Sequence, residues 1–573
     1  MARTRWLVTT ALAMSFALGA CSDDPSAPGA RTVVGVSALA IGSTSIRLTF
    51  NSRSGDDTYN IERAEGLAGV FAQIGTVDAP AITGQVTYTD GDLDITTLYR
   101  YRVITVRGAE TSAPSAEVST TTLDIGNATA DITADISASR TLYADTVYTL
   151  KGFIHVVNAA VLTIQPGTKI QGDFNTLGSS LFIMRGSQIQ AVGTAEFPIV
   201  FTSSRGAGSR QPGDWGGLII VGNAPINRTG TIVVEGTGTN VNNNYNVIFS
   251  EGNTPTDNSG TLAYVRVEFA GYAPSTNNEL NAFTFAGVGS GTRGSYLQTL
   301  AALDDAFEWF GGSGDYDHLV AYETSDDMFD MSTGFTGRLQ YLIGYNTLQI
   351  PARTGAGSPA ADPQGIENDN CNPMEAGCAG VNAVPLTIPV VANFTLIGTN
   401  DVATSNASGG IGMMLRRGTG GYYVNGVVAR FPRFGVSIRD AETYTVRAGN
   451  TTIPDLATAD LAVKNVLFAD VPVVFQTGQA GEFELAGNSL TASGAATASL
   501  FTLLPAAASN PLNAAAFDWT PAGGSAIASG GMSTFTGKLL TAAGAFVTPT
   551  TYLGAADPAG AKWWAGWTIY ARN

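Results

Sequence analysis

The sequence predicts an all-β protein in which an antiparallel sandwich precedes a long parallel β-helix. Two observations support this prediction. Near the N-terminus, apolar and polar residues alternate in short runs such as Ile46, Leu48 and Phe50, which is typical of strands with one buried face. From about residue 141, short apolar strands separated by Gly, Pro and Asn follow one another without an amphipathic helix. Parallel strands without helical crossovers have one common solution, a stacked coil.

The first twenty residues read as a secretory signal peptide, because a basic start precedes a short apolar run. The LGAC motif of residues 18–21 resembles the lipobox of bacterial lipoproteins. The resemblance implies cleavage before Cys21, lipidation of its thiol and anchoring to outer-membrane lipid. The following Ser-Asp-Asp resembles outer-membrane and surface-export signals. Residues 21–32 are therefore expected to be a tether in the cell envelope.

Residues 33–123 have the length and the alternating pattern of a seven-strand sandwich. The motifs YNIERAEG and LDITTLYRYRV make this segment similar to a fibronectin type III domain, although the usual early tryptophan is absent. Leu93 and Tyr99 match the tyrosine corner of that family, in which the phenol caps a loop carbonyl. Residues 124–140 follow as a polar linker.

Two acidic clusters repeat at a fixed interval: LDDAFEWFGG (303–312) and SDDMFDMSTG (325–334) lie 22 residues apart. One coil of a β-helix takes a little over twenty residues, so the repeat predicts stacked rungs about 4.8 Å apart. Phe307 is then expected inside the coil over Phe329. By alternation, the acidic residues face outward; they are Asp304, Glu308, Asp326 and Asp330.

A second row has the same period. Tyr296-Leu297 precedes His318-Leu319 by 22 residues, and Gln340-Tyr341 is expected one further coil along. The motifs AVLTIQPGTKIQGD, GDWGGLIIVGNAPIN, DDAFEWFGG and WWAGWTIY make residues 141–573 similar to a family of right-handed β-helix lipoproteins with a pectin-lyase-like fold. The sequence departs from that pattern at 352–380, which we predict to be a loop insertion.

Four carboxylates on adjacent rungs repel one another, and calcium is the cation that best tolerates irregular carboxylate geometry. The sequence therefore suggests calcium as a cofactor at Asp304, Glu308, Asp326 and Asp330, while a solvated loop that spaces the carboxylates is the alternative. Cys371 and Cys378 are expected to form a disulfide in an oxidising compartment. The net charge of −17 excludes nucleic acid as a partner.

Two functions remain open. The first is a lipid-anchored envelope protein with a non-catalytic, binding or structural role, whose β-helix face binds a glycan, a protein or a cation. The second is a polysaccharide lyase or glycoside hydrolase that acts through the face around 304–338. Its candidate catalytic residues are Asp304, Asp326, His318 and Arg338. The signatures of β-helix galacturonases are missing, and the fold resemblance alone supplies no chemistry.

Overall fold

The computed structural model describes residues 30–570, apart from 43–44, 81–82, 92, 95, 124–127, 239–245, 275–277 and 506–516. The signal peptide, Cys21 and most of the tether thus lie outside the described residues. The chain divides into two compact units, residues 1–123 and 124–573. Among the described residues, no helix is both long enough and apolar enough to cross a membrane.

The first unit is an antiparallel β-sandwich. Its strands are β1 Ser37–Ala40, β2 Ile46–Asn51, β3 Thr58–Glu65, β4 Ala72–Asp78, β5 Gln85–Asp90, β6 Leu98–Arg107, β7 Glu110–Thr111 and β8 Val118–Thr121. One sheet has the order β1-β2-β5, and the other has the order β4-β3-β6-β7 with β8 also paired to β6. The alternating residues Ile46, Leu48 and Phe50 are buried between the sheets, as the period of two predicts.

The tyrosine corner of this unit differs in one detail from the prediction. The backbone N–H of Asp94 donates to the phenol oxygen of Tyr99 at 3.0 Å. The phenol thus accepts a bond from a loop amide, whereas the resemblance predicted that it would cap a loop carbonyl. Leu93 is buried in the same core.

The second unit is a parallel β-helix. Its strands in chain order are β9 Ala128–Ile132, β10 Arg140–Leu142, β11 Thr146–Leu150, β12 Phe153–Val156, β13 Val161–Ile164, β14 Lys169–Gly172, β15 Ser180–Ile183, β16 Gln188–Val192, β17 Ile199–Ser203, β18 Leu218–Val221, β19 Gly260–Glu268, β20 Phe283–Val288, β21 Arg293–Leu300, β22 Phe307–Gly312, β23 Asp315–Tyr322, β24 Phe329–Ser332, β25 Arg338–Tyr345, β26 Gln364–Asp369, β27 Val390–Ile397, β28 Ile411–Arg416, β29 Gly421–Ala429, β30 Phe434–Ile438, β31 Leu461–Ala469 and β32 Leu490–Ser493. A hairpin of β33 Phe501–Leu503 and β34 Asp518–Pro521 follows. The confirmed fold class is therefore an all-β sandwich followed by a β-helix.

The strands of the β-helix form two parallel sheets. One has nine strands, in the order β12-β15-β18-β20-β22-β24-β26-β28-β30. The other has fifteen strands and is bent. The first half of β19 continues the row of β13 and β16, while its second half continues the row of β14 and β17. The coil therefore has three faces around one apolar core.

Helical segments are short. They are α1 Gly537–Ala543, a π-helical turn Glu442–Arg447, and the 3-10 turns Val402–Thr404, Ala486–Asn488, Thr497–Leu500 and Ala526–Ala528. The α-helix packs its buried Leu539 and Ala543 against the outer side of the fifteen-stranded sheet. The α-helix follows the last rung, and the described connections between rungs contain turns, loops and these short helical turns rather than α-helical crossovers.

Three predicted boundaries or registers are corrected by the structure. The linker prediction 124–140 is too long, because β9 already pairs in parallel with β11. The loop prediction 352–380 contains a rung, since β26 stacks Ile366 against Phe329. The partner of Leu319 is Leu342, so Tyr341 rather than Gln340 follows His318. The last difference has a simple cause. Asp315 lies five residues after Phe310, whereas its partner Arg338 lies six residues after Ser332, the partner of Phe310.

The bend of the large sheet is made by left-handed residues. Seven strands of this sheet each contain one non-glycine residue with a positive φ, and a residue of that conformation bends the strand. The strands are β19, β21, β23, β25, β27, β29 and β31. These seven residues stack along the helix axis and are here called the bend ladder: Tyr264, Tyr296, His318, Tyr341, Asn393, Asn425 and Asn465.

Candidate cation-binding cleft

The two acidic clusters lie side by side on the nine-stranded sheet. Inside the coil, the rings of Phe307 and Phe329 stack with centroids 5.5 Å apart and planes 10° from parallel. Glu308 is in register with Asp330, and Glu367 of β26 continues the same row. Because side chains alternate along a strand, this row lies on the outer side of the sheet.

The outer side of the sheet is the floor of a cleft of about 700 Å³. The segment 357–362 and the residues Glu235 and Glu279 form its walls. Ten carboxylates line it: Glu235, Glu279, Asp304, Asp305, Glu308, Asp326, Asp327, Asp330, Asp362 and Glu367. Among the described lining residues, Arg416 is the one basic side chain. The row predicted from the sequence is thus part of a larger acidic site.

The second aspartate of each Asp-Asp pair has a structural role that the sequence did not reveal. Asp305 accepts a hydrogen bond from the backbone N–H of Asp327 at 2.8 Å. Asp327 in turn accepts from the backbone N–H of Gln364, and Gln364 accepts from that of Ile411 at 3.1 Å. The first aspartates, Asp304 and Asp326, are half-buried and line the cleft.

Two neighbouring side chains partly compensate the negative charge of the acidic site. The side-chain amide of Asn281 donates to Glu308. Arg416 binds Glu367 and also Asp369, the latter at 2.9 Å. These contacts involve three of the strands, so most of the ten carboxylates face one another rather than a cation of the protein.

Burial and like charge raise the pKa values of these acids. Burial is the larger cause for Asp304, and the neighbouring charge of Asp326 adds to it. The same order of causes applies to Asp330, where Glu367 is the neighbour. Burial together with Asp369 raises the pKa of Glu367 to about 7, and burial together with Glu279 raises that of Glu235 to about 8. Without added cations, the carboxyl groups of the folded cleft therefore keep their protons to higher pH than exposed carboxyl groups do.

The carboxylates group into three triads whose ligand atoms lie within 4.8 Å of one another. The triads are Asp304–Asp305–Asp326, Asp305–Glu308–Asp330 and Asp327–Asp330–Glu367. Hard divalent cations prefer such oxygen donors. The sequence analysis suggested calcium at Asp304, Glu308, Asp326 and Asp330, and the structure divides these four between two adjacent triads. Asp305 completes both of these triads, and Asp327 and Glu367 form the third one with Asp330; the sequence analysis missed these three ligands.

A second chamber of about 730 Å³ adjoins the first and shares Glu308, Asp330 and Glu367 with it. It differs in charge because Arg228 and Arg417 join Arg416 in its lining. Its outer wall is held by a disulfide between Cys371 and Cys378 and by an ion pair of Arg228 with Glu375 at 2.9 Å. The cleft thus runs from an acidic end to an end of mixed charge.

The alternative catalytic set is not assembled. His318 and Arg338 lie on the fifteen-stranded sheet, and neither is among the residues that line the cleft with Asp304 and Asp326. Arg338 forms an ion pair with the buried Asp315 at 2.6 Å. His318 stacks between Tyr296 and Tyr341. The prediction that these four residues form one site is therefore wrong, because the 22-residue period aligns residues along one face and does not join different faces.

The stacked parallel coils of the second unit are the defining feature of a parallel β-helix protein. A family model described as a pectate-lyase-like beta helix domain matches residues 134–510. The chain belongs to this family. No curated protein matches the chain.

Three of the solved structures that resemble the chain each cover 17% of it. The titin kinase with its flanking domains is 24% identical over 17% of this chain and 18% of its own, with a TM-score of 0.15. FN3tt is 18% identical over 17% of this chain and 97% of its own, with a TM-score of 0.15. A Fn3-like protein from Clostridium thermocellum is 29% identical over 17% and 93%, with a TM-score of 0.14. The chain spans less than a fifth of the titin structure it matches.

Proposed function

We propose that this protein is a lipid-anchored protein of the bacterial cell envelope whose β-helix binds calcium in the acidic cleft and has a binding rather than a catalytic role. One observation carries the proposal: ten carboxylates line a single cleft in which Arg416 is the one basic side chain among the described lining residues. The N-terminal lipobox around Cys21 supports anchoring to outer-membrane lipid.

The electrostatics favour a divalent cation as the occupant. Two carboxylates about 5 Å apart repel each other by roughly 1 kcal/mol in water and by more in a less polar cleft. Arg416 compensates Glu367 and Asp369 and leaves the row from Asp304 to Asp330 largely unneutralised. Calcium accepts six to eight oxygen ligands in irregular arrangements, which suits overlapping triads better than the strict octahedron of magnesium.

The chamber of mixed charge suggests that the proposed calcium site helps to bind a partner molecule. Arg228, Arg416 and Arg417 offer donors beside the cation site, and Asn372 adds an amide. Such a surface suits a polar partner, either a polysaccharide or another envelope protein, that contacts the cation and the arginines together. The role proposed for the cleft is therefore attachment of such a partner at the cell surface.

The test measures calcium binding directly. The mature protein is melted with calcium, with magnesium and with a chelator, and calcium is titrated calorimetrically. We expect calcium to raise the melting temperature more than magnesium does. Asp304→Asn combined with Asp326→Asn should weaken calcium binding at least about tenfold, because two ligands lose their charge. Glu482→Gln is the matched control, since Glu482 is an exposed carboxylate outside the cleft.

Absence of a calcium-dependent shift together with absence of binding heat would disprove the cation proposal. Anchoring is tested separately with Cys21→Ser in the producing cell. We expect this variant to lose labelling by a fatty acid and to leave the membrane fraction. Retention of both properties would disprove anchoring while leaving the cleft proposal untouched.

A further inference from the structure

The last part of the chain contains α1, is otherwise irregular, and follows the bend ladder. This segment, residues 530–570, is here called the strap. Its first residues contact the lowest rungs, where Asn465 donates to the backbone oxygen of Gly530 at 2.8 Å. Its last residues contact the upper rungs, where Trp567 packs edge-on against Tyr264 and Tyr296. Successive rungs are therefore bound by one continuous piece of chain.

The upper half of the contact is aromatic. Tyr264, Tyr296 and His318 stack face to face with centroids 4.3–4.4 Å apart. Trp563 meets the edge of this stack at His318, 4.9 Å between centroids. Trp567 is 1% exposed, so the strap removes a large apolar surface from water. This half supplies the hydrophobic part of the attachment.

The rungs bind the main chain of the strap through side-chain amides. Gln340 donates to the backbone oxygen of Thr548 at 2.7 Å and accepts from its N–H at 2.9 Å. Gln298 makes the same pair of bonds with Ile569, at 2.6 and 2.9 Å. Each glutamine thus imitates the two bonds that a neighbouring strand makes to one residue.

The amides of the lower rungs complete this pattern. Asn425 accepts from the N–H of Met532 at 2.6 Å. Asn393 donates to the hydroxyl of Thr550 at 2.8 Å and to the backbone oxygen of Gly554 at 3.1 Å. Recognition of an extended main chain with pockets for a few aromatic side chains is how peptide-binding surfaces work.

We propose that the face under the strap is a peptide-binding surface and that its occupant is exchangeable, so that the strap of a second copy of this chain can take the place of the first. The contacts are non-covalent, and they lie on the outer side of rungs that already close through their own ladders. Exchange joins two copies through their C-terminal segments. The inference is independent of the cleft, because none of the strap residues lines it.

The experiment uses the full chain with a specific protease site inserted between Gly523 and Gly524, which lie in an exposed turn. After cleavage, unlabelled protein is mixed with an equal amount of the same protein labelled with a heavy isotope, and native mass spectrometry follows the hybrids. We expect the cut strap to remain bound and hybrids to reach about half of the population. Uncut protein should form mixed light–heavy dimers instead, because each exchanged strap stays joined to its own β-helix.

Side-chain variants connect exchange with the proposed contacts. Gln298→Ala combined with Gln340→Ala should speed hybrid formation at least about tenfold, because two pairs of main-chain bonds are lost. Gln188→Ala is the matched control, since this glutamine bonds to Asn258 on another part of the coil. The control should exchange at the rate of the parent protein.

A measurement on the unmodified protein guards against variants that fail to fold. In native-state hydrogen exchange, the backbone amides of Thr548 and Ile569 should open together and well before those of the rung strands. Two results would overturn the proposal. One is that no hybrids form while the β-helix stays folded. The other is that the strap amides exchange only with global unfolding, which would make the strap an integral part of the core.

Discussion

The two outer surfaces of the β-helix share one scaffold but are occupied in opposite ways. The fifteen-stranded sheet presents the bend ladder and apolar side chains, and residues 530–570 of the same chain cover them. The nine-stranded sheet presents Glu308, Asp330 and Glu367, and loops surround these residues without neutralising them. We expect the first surface to contribute to stability at any cation concentration, and the second to lower stability when no cation is bound.

The largest expected effect is on the covered surface. Trp567→Ala should lower the free energy of unfolding by about 3–5 kcal/mol, because a side chain that is 1% exposed leaves a cavity beside Tyr264 and Tyr296. Denaturant unfolding measures this loss. The loss should be the same in calcium and in chelator. A loss that depended on calcium would mean that the two surfaces are coupled.

The next effect is a pH dependence of the acidic surface. Glu367 and Glu235 have pKa values raised to about 7 and about 8, and Asp304 and Asp330 are raised as well. The unfolded chain loses these protons near pH 4, but the folded cleft holds them. In chelator, stability should therefore fall by several kcal/mol between about pH 4 and pH 8.

Melting curves at pH 5 and pH 8 check this fall. Arg416 and Arg417 face the lower end of the cleft and limit the effect there. Calcium should reduce the fall, because a bound cation favours the ionised acids, and its binding near pH 7 should release protons. Stability that rose from pH 5 to pH 8 in chelator would contradict the pKa shifts.

The smallest expected effect comes from two variants that distinguish charge repulsion from hydrogen bonding on the acidic surface. Asp326→Asn should raise the melting stability in chelator at pH 8 by about 1 kcal/mol, since it removes one of two facing charges. In saturating calcium the same change should be destabilising. Asp327→Ala is the comparison variant, because Asp327 also accepts a hydrogen bond from the backbone N–H of Gln364 and alanine removes that acceptor. It should destabilise under both conditions, and equal behaviour of the two variants would contradict the division of roles within the Asp-Asp pair.

The sequence predicts the parts of the fold that repeat. The interval of 22 residues locates Phe307 over Phe329, because identical positions on consecutive coils are joined by strand pairing. It cannot locate Glu367, because 37 residues separate Asp327 from its hydrogen-bond partner Gln364 on the next rung. β26 is short and has Ile366 as its one large apolar residue, so no alternation reveals it.

The site is less predictable than the fold for the same physical reason. Glu235, Glu279 and Asp362 reach the cleft from segments between the strands, and their sequence positions bear no periodic relation to the rungs. Conversely, His318 and Arg338 are close in sequence to the acidic clusters but lie on another face of the coil. Which face a residue reaches depends on the length of each turn, and the sequence shows that length only once the strands are placed.

One feature of the acidic face bears on how such proteins diversify. A series of hydrogen bonds joins consecutive rungs, running from Asp305 through Asp327 and Gln364 to Ile411. Its successive members are 22, 37 and 47 residues apart in sequence. The connecting segments can therefore grow or shrink while the repeating framework keeps its alignment. Residues that bind a ligand can therefore change in these connecting segments without disturbing the rungs. We expect relatives with the same framework to differ most in the ligands that these segments bind.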